Sequence, residues 1–148
     1  MAWLMAAWSV RNRLTVHLRG GALLRRYVSY SASFMAVGFI LRHFGTAIMT
    51  ATIVSILLCS LLLLFLRPGL WFLPVAGLVG FTTLYLLYIG IVFGSYPEFV
   101  LQWNIENLSG VNLLGIPVEE ILWASSFGFC WPLFIAHGCD ARLVPGGA

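Results

Sequence analysis

The residues with the clearest capacity for chemistry are two adjacent acids, Glu119 and Glu120, placed just after Pro117 at the start of a long apolar run. A proline in the first helical turn costs nothing, because its missing N–H would have no partner there. A helix is therefore predicted to begin at this point, with both acids near its positive end. At about 100° per residue, Glu119 shares a stripe with Ser126, Cys130 and His137. Glu120 points instead toward Trp123, Phe127, Trp131 and Phe134. Burial among rings favours the neutral acid and the helix N-terminus favours the anion, so depth decides between them. A neutral carboxyl beside aromatic faces can protonate an alkene while the rings attract the resulting cation and exclude water. Those are the requirements of acid-initiated polyene cyclisation. A plainer reading stays open: acids behind a proline can cap a helix or face water at a membrane surface.

The elements that must position these acids are membrane helices. The chain has 148 residues, 61% of them hydrophobic and only 9% charged, against about 25% charged in soluble domains. The expected fold is an all-α, polytopic transmembrane bundle. Four apolar segments are visible: Tyr27–Leu41, which is short and holds three serines, Gly45–Leu66, Gly69–Phe93 and Ile116–His137. Pro74 is expected to kink or re-aim the third. With four spans and a cytoplasmic N-terminus, Arg11, Arg13, Arg19, Arg25, Arg26, Arg67 and Arg142 share one side and Arg42 alone lies opposite. With three spans, Arg67 and Arg142 both fall outside, so the positive-inside rule prefers four. Ser95–Gly115 is then a long connection on the far side, without a basic residue.

Three regions are expected: a basic cytoplasmic or interfacial arm over 1–26 with Trp3 and Trp8 at headgroup level, a membrane domain over 27–142, and a short tail over 143–148. The arm places apolar residues before basic ones, the reverse of a secretory signal. The expected location is an integral one, in a bacterial plasma membrane.

Other chemistries find little support. All eight basic residues are arginine, and five lie in the first 26 residues. That arrangement sets topology rather than binding nucleic acid. Cys59, Cys130 and Cys139 form no C-x-x-C, and no metal set is expected. His137 stands alone near a span end. Gly77 and Gly80 read as sites of close helix approach, as do Ala124 and Gly128 on the far face of the acid-bearing helix. Trp103, Asn104 and Tyr96 suit an interfacial loop.

The run from Trp103 to Ala124, W-N-x-x-x-L-S-G-x-x-x-L-G-I-P-V-E-E-I-L-W-A, resembles the lycopene cyclase domain family, small membrane domains with a P-x-E-E or P-x-E-D motif. The likeness extends over roughly 67–142. It implies non-redox ring closure at the end of a lycopene-type polyene or another isoprenoid, with no flavin or nicotinamide cofactor. Carried onto this chain, Pro117, Glu119 and Glu120 form the motif, with Glu120 as proton donor and Glu119 as partner or base. Trp123, Phe127 and Trp131 would shield cationic charge, and Trp103, Asn104 and Gly115 would be structural. Trp123–Ala124 stands where better-known members have two phenylalanines. Working cyclases of the family combine two such domains and this chain has one motif, so a homo- or hetero-oligomer is implied. A non-catalytic scaffold or accessory subunit is the alternative. Intramembrane glutamic proteases fit less well: Ala124 replaces the arginine of E-E-x-x-x-R, and Phe134 to His137 is one residue short of F-x-x-x-H.

Overall fold

The computed structural model describes residues 12–16, 20–103 and 108–145. Trp3, Trp8, Arg11, Arg19 and Asn104 lie outside the described residues. Four helices dominate: α1 (Gly20–His43), α2 (Ile48–Leu66), α3 (Phe72–Ser95) and α4 (Val118–Gly138). They run up, down, up and down. Two short antiparallel ribbons complete the chain. In one, β1 (Asn12–Thr15) pairs with β4 (Arg142–Pro145), setting Thr15 opposite Arg142; in the other, β2 (Asn112–Leu113) pairs with β3 (Ile116–Pro117). The expected all-helical bundle is thus present, and stretches of the expected arm and tail meet as β1 and β4.

Among the described residues, three helical segments are long and apolar enough to cross a membrane: Ile48–Leu66, Pro68–Ser95 and Val118–Gly138. α1 differs. It begins at Gly20, earlier than the expected Tyr27, and its Arg25–Arg26 pair and serines dilute its apolar character. None of its residues is buried, so it lies against the rim of the bundle. Much of the outer surface is greasy, with Phe65 82% exposed, as a lipid-facing surface requires.

Helix contacts follow membrane rules, in which small residues and shared hydrogen bonds replace hydrophobic drive. Gly77 of α3 meets Gly128 of α4 so closely that a Cβ on either would overlap the other's carbonyl oxygen. Pro132 lies one turn beyond Gly128 and lacks the N–H that would bond that carbonyl. Ala124 is fully buried on the same helix. Gly80, by contrast, faces open space, although it lies only about 60° around the helix from Gly77. Pro74 does not kink a helix: after the 3₁₀ turn Pro68–Leu70, α3 starts at Phe72 and the proline falls in its first turn. Thr82 and Ser125 bond across α3 and α4 at 3.1 Å. The Tyr30 hydroxyl touches Ser60 Oγ at 3.0 Å and Cys130 Sγ at 3.1 Å, tying α1 to α2 and α4.

Candidate functional site

The acid pair is set by a hairpin and a helix start. Leu114 and Gly115 both have positive φ, 54° and 81°, which is the signature of the two-residue turn that matches strand twist. Gly115 supplies it without strain, and Leu114 does so at a cost. The hairpin delivers a buried Ile116 and Pro117, the Val118 N–H bonds back to the Val111 carbonyl at 2.9 Å, and α4 begins with both glutamates in its first turn.

The two carboxylates then diverge. Glu119 is buried, 8% exposed, and its Oε1 accepts the Ser109 backbone N–H at 2.6 Å. Its Oε2 is buried without a hydrogen-bond partner. Glu120 is half-buried, and its Oε2 accepts the Tyr85 hydroxyl at 2.5 Å. Among the described residues no ion pair reaches either glutamate.

Tyr85 stands thirteen residues into α3, roughly 20 Å along it at about 1.5 Å each, and Glu120 meets it from the first turn of α4.

Rings continue down α4 from this point. The Tyr85 ring lies 6.1 Å from Trp123, which stacks on Phe127 at 5.5 Å and 18°. Phe127 stacks on Trp131 at 5.5 Å and 15°, and Phe81 of α3 meets Phe127 at 5.1 Å. The row ends at Phe134 against Tyr27 and Tyr30. Spacing of four residues produces this ladder, and Trp131 is half exposed at its outer edge. The expected separation of faces is therefore realised, with Glu120 at the head of the rings and Glu119 turned to the loop. Trp103 belongs to a different aromatic group, with Phe93 and Phe99. An apolar recess of about 420 Å³ between α1 and α2, lined by Phe34, Phe39 and Ile48 among others, touches neither glutamate.

Tyr85 and Ser109 went unremarked in the sequence. The spacing Gly77, Phe81, Tyr85 places them on one α3 face, which was the available signal for Tyr85. The Ser109 amide offered none, since any residue but proline carries one.

A second carboxylate centre lies at the other end of the bundle. Arg67 donates to Asp140 Oδ1 at 2.7 Å, Arg26 reaches the same oxygen at 3.2 Å, and Arg142 approaches Oδ2 at 3.5 Å. Together, first through Arg67 and then Arg26, they hold the Asp140 carboxyl well below the usual carboxylate range. Asp140 has φ of 48° and closes α4 as its left-handed cap, with the Ala141 N–H bonded to the Ala136 carbonyl and its own N–H to that of His137.

The chain matches the family described as lycopene cyclase over residues 45–137, from just before α2 almost to the end of α4. No curated protein and no solved structure matches it.

Proposed function

Because the chain belongs to the lycopene cyclase family, we propose that it is an integral membrane carotenoid cyclase that closes the end of a lycopene-type polyene by acid catalysis without redox change. The observation that carries this reading is the Glu120 carboxyl at the head of the Trp123–Phe127–Trp131 ladder, bonded to the Tyr85 hydroxyl and, among the described residues, in no ion pair. In the proposed reaction a proton on Glu120 passes to the terminal alkene and leaves a tertiary cation. The neighbouring double bond attacks that cation, forming the ring carbon–carbon bond. A proton then leaves the ring, so substrate and product are isomers. The π-faces of Trp123 and Phe127 stabilise positive charge as it develops, and the Tyr85 hydroxyl stabilises the carboxylate left after transfer. Glu119, with one buried oxygen free, is the partner that returns or accepts the second proton. The ladder is open along Trp131, and a second copy or a related domain would complete its wall.

Expression in a lycopene-accumulating host, alone and beside a second P-x-E-E domain, tests this by pigment analysis. A cyclic carotenoid that disappears with Glu120→Gln at normal membrane abundance is the expected result. Absence of cyclic product in every combination would sink the assignment. The scaffold reading predicts instead that the substitution changes assembly or nothing.

A further inference from the structure

We propose that the recess at the arginine end binds a singly charged phosphodiester oxyanion, the group carried by the headgroup of an anionic phospholipid. The recess has a volume of about 360 Å³ and is lined by Arg67, Gly69, Leu70, Ala141 and Arg142. Two of these five residues are arginines. A guanidinium has five N–H donors in a fork that fits phosphate oxygens. Arg67 spends its bonds on Asp140 Oδ1 at 2.7 Å and the Ala141 carbonyl at 3.4 Å. Among the described residues the Arg142 guanidinium makes one contact, at 3.5 Å to Asp140, and its side chain is 68% exposed.

Charge sets the sign of the ligand. Three arginines surround one aspartate, and the C-terminal ends of α2 and α4 meet the N-terminal ends of α1 and α3 at this end of the bundle, so the helix dipoles roughly cancel. The surplus is then about two positive charges, which suits an anion. Position sets the source. Arg67 follows the last residue of the α2 span directly, Pro68–Leu70 opens the next, and Trp71 beside them is 55% exposed. This is the level at which acyl chains give way to headgroups, where cationic side chains attract anionic lipids. Leu70 and Ala141 are buried and form an apolar floor. Asp140 preorganises Arg67 and Arg142, a feature that topology-setting arginines dispersed in solvent do not need.

Native mass spectrometry of the purified full chain in detergent, offered phosphatidylglycerol or phosphatidylcholine, reads the site directly. A Cβ on Gly69 meets nothing within 4 Å, so Gly69→Leu adds an apolar side chain at the recess, and Arg142→Gln removes one guanidinium while leaving the Arg67–Asp140 pair. Wild type is expected to retain phosphatidylglycerol over phosphatidylcholine, and each variant to lose about fivefold of that preference at unchanged melting temperature. Equal retention of the two lipids, or an undiminished preference in both variants, overturns the proposal. Displacement of phosphatidylglycerol by millimolar inorganic phosphate assigns the recess to free phosphate and overturns the lipid as its occupant. The readout is independent of cyclisation, so it stands or fails apart from the catalytic reading.

Discussion

The two ends of the bundle each hold carboxylates and treat them in opposite ways. At one end Asp140 gathers three guanidinium groups and a helix cap. At the other, Glu119 accepts one backbone N–H and Glu120 one tyrosine hydroxyl, with no ion pair to either among the described residues. An acid enclosed by cations cannot hold a proton near neutral pH, and its value is structural. An acid met by neutral hydrogen-bond donors lacks that cage, which is what the proposed proton transfer from Glu120 requires. Identical functional groups thus separate by their neighbours: one carboxylate caged by guanidinium groups, two met by neutral donors.

Substituting at both ends should break the comparison cleanly. Glu120→Gln is expected to cut cyclic product by about a hundredfold with an unchanged melting temperature in detergent. Equal loss of both would mean that the glutamate is a structural group like Asp140. Asp140→Ala should do the reverse, lowering stability by roughly 2 kcal/mol, discounted because the site is partly open to water. Its pH dependence has a definite sign. The folded carboxyl is depressed, so its contribution is fully present above the unfolded pKa of about 3.9 and fades as pH falls below that value. Melting curves of wild type and Asp140→Asn should therefore stay apart from pH 7 to about 5 and converge only in stronger acid. A gap that closes near pH 6 would contradict the arginine cage. Tyr85→Phe sharpens the other end: loss of one hydrogen bond to an acid should reduce product about tenfold, less than Glu120→Gln, at full membrane abundance. The smallest effect concerns the turn beneath the acids. Leu114 is 92% exposed with φ of 54°, so Leu114→Gly should raise stability by about 1 kcal/mol, measured by melting temperature, without altering product. A drop in stability would show that the leucine side chain has a partner.

How much of this was legible in the sequence depended on whether one helix or two were needed to see it. Helical periodicity within α4 separated Glu119 from Glu120 and aligned Trp123, Phe127 and Trp131, because a single helix fixes those angles. It also marked Gly128 and Ala124 as a close-packing face. Features that join helices were hidden. Tyr85 meets Glu120 only through the register of α3 against α4, and Arg26, Arg67, Asp140 and Arg142 are scattered along the chain until four helix ends converge. Gly80 looked equivalent to Gly77, but one glycine faces a partner helix and the other faces lipid. Pro74 looked like a kink because the expected segment began at Gly69, whereas a 3₁₀ turn takes its first residues and α3 starts only at Phe72. The serine-diluted α1 was the weakest span by composition, and in the bundle it remains peripheral.

The side chains proposed for proton transfer and cation shielding come from one antiparallel pair, α3 and α4, and the loop between them ties Glu119 in place. Neither α1 nor α2 contributes a group to that assembly. Such a hairpin is portable: tandem duplication, or the meeting of two chains, would set two acid heads in one particle without rebuilding either. A long, two-ended hydrocarbon could then be worked on at both tips by a device invented once.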